Sequence, residues 1–507
     1  MKVFDSPWQA GFEGADHINH QGFALSLNQQ TGHLARVSGD YARLKELHIT
    51  TVRESVGWRL VERQGRFDFS SLLGLLEAAE RLGIQMCWTF CHYGWPEDID
   101  IFFDRFVPRF AQFCGALAAW LAPFYQKAPV YSPINEISFT SWGLAVELFH
   151  CRKDAVADVG REGKRQLVCA ALAGCDAIWA ADPRARLLHC DPLIHLIATP
   201  DGDDEPQAVA AQNASQFEAW DMLCGRMAPE LGDAPRYLDI IVANYYHRNQ
   251  WEYGSHRRLH WHLGDPRRKP LYRLLGELHR RYQRPLLLAE TGHVGSGRGA
   301  WIEDIADQVT QARLQGTDIT GICLYPAVDR PDWEDPQRWH HSGLWDVTPA
   351  AADPLARTLC RPYATALLRA QRKLDRFQTL FSTHSPSGQD KTMQTIIVFS
   401  HLRWDFVWQR PQQLLSRLAQ HFAVVFVEEP VYEPGAVRLE ITTPVANVSV
   451  CRPHTPVRAA GFHDDQLPWL QPLINDADGR YPLAHCLALH ADGATAVDAV
   501  GSGLGDL

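Results

Sequence analysis

The stretch PLLLAETGH (285–293) is an apolar run that ends at a carboxylate, Glu290. An upstream stretch, PVYSPINEI (129–137), has the same arrangement and ends at Asn135 and Glu136. Short apolar runs of this kind are typical of strands that are buried on both faces, as in a parallel sheet. The two stretches therefore predict parallel strands that each carry a glutamate at the C-terminal end.

The same pattern recurs along the chain. Strand-like apolar runs alternate with longer segments that have apolar residues at helical spacing, at 40–48, 69–83, 102–124, 164–182 and 301–316. Eight runs share the strand pattern: 9–16, 50–58, 84–94, 129–137, 185–194, 238–247, 285–293 and 321–329. This alternation predicts an α/β fold, a (β/α)8 TIM barrel.

Polar or aromatic residues stand at the end of each later run. In a (β/α)8 barrel the C-terminal strand ends form the rim of the active site, so we expect these side chains to converge. They are Arg53, Glu54, His92, Tyr93, Asn135, Glu136, Asp191, Asn244, Tyr245, Tyr246, Glu290 and Tyr325.

The composition of the chain changes after the barrel. We predict a barrel domain over 1–384, a linker over 385–394, and a small, incomplete Rossmann-like α/β segment over 395–507. In that segment TIIVFSHLRW (395–404) and AVVFVEEP (423–430) have strand patterns and flank a helical one. The last residues, 491–507, are rich in Gly, Ala and Asp without periodicity, which predicts a loose tail.

The composition excludes several classes of protein. The chain has 507 residues, 46% hydrophobic and 21% charged, which is typical of a globular protein. The net charge is −10 and the basic residues are scattered, so we expect no nucleic-acid partner. No apolar stretch approaches the ~20 residues of a membrane span, and the N-terminus lacks a signal-peptide pattern. We therefore expect a cytoplasmic protein without membrane insertion.

The two strand-end glutamates suit one reaction. Hydrolysis of a glycosidic bond with retention needs one carboxylic acid to protonate the leaving oxygen and one carboxylate, ~5 Å away, to attack the anomeric carbon. We predict that Glu136 is the general acid/base, with a pKa raised by its neighbours, and that Glu290 is the nucleophile. The alternative for both residues is a pair of structural ion pairs at the rim.

Motifs around both glutamates carry a resemblance. NEI (135–137) and AETGH (289–293) resemble the acid/base and nucleophile motifs of clan A glycoside hydrolases. The nearer likeness is to family 1, the β-glucosidase-type enzymes, over roughly residues 8–350. The motifs that follow that family's order are FEGAD (12–16), GWRLVERQGRFDFSSLLGLLEAAERLGI (57–84), FCHYGWP (90–96), INE (134–136) and NYY (244–246). The resemblance implies a retaining glycosidase for β-linked carbohydrate that uses neither metal nor cofactor.

The resemblance also implies roles for five further residues. Arg53 would lie beside the nucleophile and keep it ionised, as an adjacent guanidinium does. Asn135 would bind the sugar 2-hydroxyl, and His92 a hydroxyl of the innermost sugar. Asn244 and Tyr246 would lie near the nucleophile, with the tyrosine hydroxyl holding its carboxylate.

Other positions depart from the family 1 pattern. Gly11 stands where the family usually has a sugar-binding Gln, and Thr291 stands where it has Asn. The family's Trp-rich motif after strand eight is not recognisable in LYPAVDRPDWEDP (324–336). These departures indicate a divergent branch whose sugar is unassigned. Tryptophans at strand ends or in late loops are candidates for stacking on sugars: Trp58, Trp95, Trp333, Trp339 and Trp345.

The C-terminal segment carries a second resemblance. IIVFSHLRWDFVWQRPQQLLSRLA (396–419), followed by VVFVEEP (424–430), resembles the opening of the first Rossmann lobe of two-lobed glycosyltransferases. The nucleotide-sugar site of such enzymes lies mostly in a second lobe, for which this chain has no room, so we assign no transferase activity. The pairing suggests a link to bacterial-type polysaccharide or cell-surface glycan metabolism, with a partner in polysaccharide synthesis.

Two other functions stay open at this point. In the first, the barrel is a catalytically silent protein that binds glycan or scaffolds a polysaccharide-synthesis system. In the second, the C-terminal segment is part of a glycosyltransferase that another chain completes. Histidines are frequent in HRNQWEYGSHRRLHWH (247–262), but their spacing matches no zinc motif and predicts a solvated loop.

Overall fold

The structure is a computed structural model that describes residues 3–151, 156–199, 206–232, 234–347, 353, 355–382, 395–405, 410–420, 422–435, 437–459, 461–466, 468–470, 472–473 and 487–490. The chain divides into two compact units, residues 1–384 and 385–507. The predicted linker, 385–394, and the predicted loose tail, 491–507, lie outside the described residues.

Eight parallel strands of the first unit close into a barrel, which confirms the predicted (β/α)8 fold. The strands are β1 (Trp8–Gly11), β2 (Thr51–Ser55), β3 (Gln85–Cys91), β4 (Val130–Ile134), β5 (Arg186–Pro192), β6 (Ile240–Asn244), β7 (Leu286–Thr291) and β8 (Ile319–Leu324). They follow one another in sequence order, and β1 closes the ring by pairing with both β2 and β8. Six of the eight predicted runs contain one of these strands, and the first and last runs overlap β1 and β8, which begin one and two residues before them.

Helices cover the outside of the barrel. They are α1 (His33–Glu46), α2 (Leu73–Leu82), α3 (Phe106–Leu121), α4 (Val159–Ala181), α5 (Glu218–Leu223), α6 (Leu271–Tyr282), α7 (Arg298–Leu314) and α8 (Arg361–Ser382). In α6 the buried Leu271, Leu274, Leu275 and Leu278 recur every three or four residues and face the barrel core. Asp158 caps the N-terminus of helix α4, because its side chain accepts a hydrogen bond from the Arg161 N–H at 3.0 Å.

Shorter elements connect these strands and helices. The short α-helices are Leu27–Gln30, Trp58–Val61, Ile137–Ala145 and Pro206–Ser215. The 3-10 turns are Ser70–Leu72, Ala122–Phe124, Pro229–Leu231, Pro235–Tyr237, Trp261–Leu263 and Gly295–Gly297. The two-stranded pairs are Glu62–Arg63 with Arg66–Phe67, His195–Ile197 with Gln250–Glu252, and Trp345–Val347 with Arg357–Leu359.

The core of the barrel unit has two layers. The larger layer lies between strands and helices, and the smaller one fills the barrel interior with nine buried side chains: Phe4, Cys87, Val130, Leu188, Cys190, Ile240, Val242, Leu287 and Ala289. Since these apolar side chains fill the interior, the polar strand ends lie at one mouth of a packed barrel.

The second unit contains one mixed sheet. Its strands are β9 (Thr395–Ser400), β10 (Ala423–Glu428), β11 (Val431–Tyr432), β12 (Arg438–Val445), β13 (Val448–Thr455) and β14 (Leu487–His490), with α9 (Arg410–Leu418) between β9 and β10 and a 3-10 turn at Asp464–Gln466. The order is β11-β13-β10-β9-β14, all parallel, and β12 pairs antiparallel with β13. This sheet is partly Rossmann-like, as predicted. Among the described residues of the chain, every helix is too short or too polar to cross a membrane.

Candidate active site

Two buried carboxylates, Glu136 and Glu290, lie together at the C-terminal mouth of the barrel. Glu136 follows β4 and is 7% exposed, and Glu290 lies near the end of β7 and is 3% exposed. The structure places all five further predicted residues next to them: Arg53, His92, Asn135, Asn244 and Tyr246. Strand ends separated by up to 237 residues in sequence thus form one site.

Glu290 is held by a cation and a hydroxyl group. Its Oε1 accepts a hydrogen bond from Nη1 of Arg53, and its Oε2 accepts one of 2.9 Å from the Tyr246 hydroxyl. Strand β7 shifts register beside Leu288, and such a bulge changes the direction of the side chain that follows it. The buried Arg53 charge stabilises a negative charge on Glu290.

Arg53 is itself positioned by two polar neighbours. Its Nε donates a hydrogen bond of 3.1 Å to Oγ1 of Thr89, and its Nη2 donates one of 2.5 Å to Oδ1 of Asn135. These bonds lock the guanidinium in the plane that faces Glu290 and tie Asn135 to the same group.

Glu136 stands at a sharp turn between β4 and the helix Ile137–Ala145. Its backbone has a φ of 46°, in the left-handed region, and its N–H donates to the Cys190 carbonyl at 3.1 Å. The Tyr93 hydroxyl donates to Oε2 at 2.5 Å, and Nδ2 of Asn244 donates to Oε1 at 3.0 Å. The side chain of Asn244 therefore contacts the predicted acid/base, while Asn244 is also the strand partner of Glu290, so it lies near both carboxylates.

The two carboxylates have different electrostatic environments. Burial, followed by the nearby negative charge of Glu290, raises the pKa of Glu136 to about 8. The hydrogen bonds from Tyr93 and Asn244 act in the opposite direction and are outweighed. Glu136 therefore carries a proton at neutral pH, while Glu290 has the arginine as its direct partner.

His92 is a neutral imidazole in this site. Burial and the charge of Arg53 lower the pKa of His92 well below its usual range. Its Nδ1 lies 2.9 Å from Oγ of Ser55, and its Nε2 lies 3.1 Å from Nδ2 of Asn135. Since the Asn135 amide donates, Nε2 is the acceptor and Nδ1 carries the proton that faces Ser55.

A third carboxylate, Glu13, was not singled out from the sequence. It is 6% exposed, its Oε1 lies 3.8 Å from Nε2 of His92, and its Oε2 lies 3.0 Å from Nε of Arg330. Burial raises the pKa of Glu13. The only sequence signal for Glu13 was its place in FEGAD after the first strand, and nothing local linked it to Arg330.

Tyr325 explains the glycine at position 11. A Cβ on Gly11 would lie 2.4 Å from a ring carbon of Tyr325, so the tyrosine fills the space in which the family's Gln would stand. The Tyr325 hydroxyl donates to the Phe12 carbonyl at 3.0 Å and accepts from the Gly14 N–H at 3.2 Å. The ring also lies 5.6 Å from the Arg53 guanidinium.

Three residues expected at the rim point elsewhere. Glu54 contacts Nε2 of His33 and the hydroxyl of Tyr41, both at 2.9 Å, between the barrel and α1. Tyr245 accepts from Gln250 and Arg268 outside the barrel, and Asp191 accepts from the N–H and hydroxyl of Ser138. The prediction that Glu54 and Tyr245 converge at the rim is wrong, because successive residues of a strand face opposite sides of the sheet.

An open cavity of about 420 Å³ lies over the carboxylates, within the usual size range of small-molecule sites. Of the five candidate tryptophans, Trp333 and Trp339 line it. Trp58 instead packs against the phenylalanines of α3, Trp95 against Phe106, and Trp345 is 5% exposed. His247, Arg248 and Asn249 also line the cavity, so the histidine-rich segment begins in the site and is not wholly a solvated loop.

One group of potential metal ligands occurs among the described residues. Asp329, His341 and Asp346 have ligand atoms within 4.8 Å of one another. Arg298 donates to Asp346 at 2.7 Å, and Asp329 accepts from the N–H of Ser342 at 3.0 Å. These bonds hold the loop after β8.

Solved structures share the fold of the barrel unit. A β-glucosidase from Thermotoga maritima in complex with deoxynojirimycin matches with a TM-score of 0.58 and 13% identity, over 73% of this chain and 99% of that chain. The chain has the barrel fold of this β-glucosidase. The β-glycosidase BGL167 matches with a TM-score of 0.56 and 19% identity, over 77% of this chain and 99% of that chain.

A third solved structure is the AHE enzyme from Alicyclobacillus herbarius, with a TM-score of 0.58 and 16% identity, over 72% of this chain and 97% of that chain. No protein-family model matches the sequence, and no curated protein does. The likeness is thus one of fold.

Proposed function

We propose that the protein is a retaining glycoside hydrolase that cleaves β-linked O-glycosides by double displacement. The observation that carries this proposal is the difference between two adjacent carboxyl groups. Glu136 has a pKa of about 8, raised by burial and by Glu290, whereas Glu290 is bonded to Arg53. One protonated and one charged carboxyl group are what the reaction requires.

In the first step Glu290 acts as the nucleophile. An oxygen of its carboxylate bonds to the anomeric carbon while the bond from that carbon to the leaving oxygen breaks. The proton of Glu136 passes to the leaving oxygen, so the alcohol departs neutral and a glycosyl ester of Glu290 remains.

In the second step Glu136 acts as a base. Esterification removes the negative charge of Glu290, which is the second cause of the raised pKa of Glu136, so this pKa falls. Glu136 then accepts a proton from water, whose oxygen bonds to the anomeric carbon while the ester bond breaks. Tyr246 and Arg53 stabilise the carboxylate that returns.

Neutral groups beside the carboxylates would bind the sugar. His92 lines the buried base of the cavity beside Glu13, where polar side chains can orient hydroxyl groups, and Asn135 is hydrogen-bonded to His92 and Arg53. Trp333 and Trp339 offer flat faces on its wall.

The decisive experiment is intact-mass spectrometry after incubation with a panel of 2-deoxy-2-fluoro glycosides, followed by peptide mapping. An adduct on Glu290 is expected in the wild type and is expected to be missing in Glu290→Gln. The Glu303→Gln variant, at a partly exposed position of α7, is the matched control and should label normally. Sugar binding by calorimetry without any adduct would contradict the proposal and favour the catalytically silent, glycan-binding protein.

A further inference from the structure

The cavity above the two carboxylates changes sign from base to mouth. Its base carries Glu13, Glu136 and Glu290, which are 3% to 7% exposed. Its mouth carries Arg248 and Arg338, which are exposed and line the same cavity. The negative groups thus lie deep in the cavity, and the positive groups lie at its opening.

The arginines of the cavity differ in how their charge is balanced. Arg330, which also lines it, lies 3.0 Å from Glu13 and rests over the ring of Trp333 at 5.5 Å. Around Arg248 and Arg338, by contrast, the described part of the chain places no carboxylate within ion-pair distance, 4.0 Å. Their charges are left to solvent or to a ligand.

A second guanidinium adds to the charge near Arg248. Nη1 of Arg258 donates to the Arg248 carbonyl at 3.0 Å, and its guanidinium lies over Trp251 at 4.9 Å. Burial and the charge of Arg248 lower the pKa of Arg258, and neither cause is a carboxylate. Like charges that lie near each other repel, and a bound anion reduces this repulsion.

The histidines of the same wall contribute no charge at neutral pH. Burial lowers the pKa of His247 to about 4 and also lowers the pKa of His293. Their rings lie 4.0 Å apart. Among the residues of this wall that the structure describes, the positive charge therefore comes from arginine.

We propose that the mouth of the cavity binds an anionic substituent, a carboxylate or a phosphate, on the leaving-group side of the glycoside. The planar guanidinium group suits both anions because it can donate two parallel hydrogen bonds. The anion lies on the leaving-group side because the sugar that is attacked occupies the buried base. This inference rests on the proposed function and names its substrate class, an acidic glycan or another anionic glycoside.

The test uses three aryl glycosides of whichever sugar is hydrolysed best in a neutral nitrophenyl panel. The nitrophenyl ring carries a carboxylate in one, a phosphonate in the second and a primary amide in the third. For each, kcat/KM is measured at low ionic strength for the wild type, for the double variant Arg248→Ala/Arg338→Ala, and for Arg63→Ala. Arg63 is an exposed arginine on the hairpin formed by Glu62–Arg63 and Arg66–Phe67, and it is the matched control.

We expect the double variant to lose about three- to tenfold in kcat/KM for the anionic glycosides and to keep its rate on the amide. The loss should shrink in high salt, and Arg63→Ala should behave as the wild type does. A loss for one anion only would identify that anion as the substituent. Equal effects of the double variant on all three glycosides would overturn the inference.

If no glycoside is hydrolysed, that result contradicts the proposed function but not the anion site. The anion site is then tested by measuring the binding of the three glycosides by calorimetry. Tighter binding of the carboxylate or phosphonate glycoside than of the amide, lost in the double variant, would support the anion site. Equal binding of all three by the wild type would refute it.

Discussion

The hydroxyl group of Tyr93 donates a hydrogen bond of 2.5 Å to Oε2 of Glu136. The hydroxyl oxygen of Tyr93 itself accepts a hydrogen bond of 3.0 Å from Nδ2 of Asn135. Burial and the charges of Glu136 and Glu290 raise the pKa of Tyr93 well above its usual range, so it stays a donor. Tyr93 thus stabilises the charged form of Glu136, the form required in the second step.

Removal of that donor should be visible in the pH profile. In Tyr93→Phe the carboxylate of Glu136 loses a hydrogen bond, so its pKa should rise further and the alkaline limb of kcat/KM should move to higher pH. The second step should slow, because the carboxylate form of Glu136, which acts as the base in that step, is less stabilised. Steady-state kinetics from pH 5 to 10 would show this, and an unmoved alkaline limb would contradict it.

The wild-type enzyme should lose activity at alkaline pH. The pKa of Glu136 is raised to about 8, and the first step needs its protonated form, so kcat/KM should fall as pH rises through about 8. Glu136→Gln should abolish this limb with substrates whose leaving groups need no protonation. A profile that is flat to pH 10 in the wild type would argue against Glu136 as the acid.

The buried pair of Arg53 and Glu290 should couple strongly in stability. Arg53→Met leaves Glu290 buried without its cation, which should cost about 3 to 5 kcal/mol of the free energy of unfolding. The double variant Arg53→Met/Glu290→Gln should recover part of that loss, because the uncompensated charge is gone. Urea unfolding of both single variants and the double variant measures the coupling energy. Additive effects would mean that the pair does not interact as the structure shows.

A family-type glutamine should not be tolerated at position 11. Its Cβ would lie 2.4 Å from the Tyr325 ring, so Gly11→Gln should lower the free energy of unfolding by about 1 to 3 kcal/mol through overpacking. Gly74→Ala is the control, since a Cβ there meets no atom within 4 Å and α2 should gain up to about 1 kcal/mol. Thermal unfolding compares the two variants, and an unchanged melting temperature for Gly11→Gln would contradict the contact.

Several predictions about the second unit, and the predicted location of the protein, stay predictions. The sheet around β9 and β10 has the Rossmann-like order expected of residues 395–430. Its resemblance to a glycosyltransferase lobe, the cytoplasmic location and the link to polysaccharide metabolism rest on sequence alone.

Local sequence patterns were enough to predict the eight strands and the glutamates at the ends of two of them. Apolar runs and helical spacing are local patterns, and in a closed parallel barrel they place every strand end at one mouth. The motif order around Glu136 and Glu290 added the roles of Arg53, His92, Asn135 and Tyr246, and the structure places each of them within one group of hydrogen bonds.

Which sequence neighbours share a face of the sheet, and which distant residues meet, became known from the folded barrel. Arg53 and Glu54 are adjacent in sequence, yet one contacts Glu290 and the other contacts α1, because strand residues alternate. Glu13 meets Arg330, and Tyr325 fills the place beside Gly11, across more than 300 residues of chain. Such contacts depend on how the barrel closes and on the loops that follow it, which no local pattern encodes.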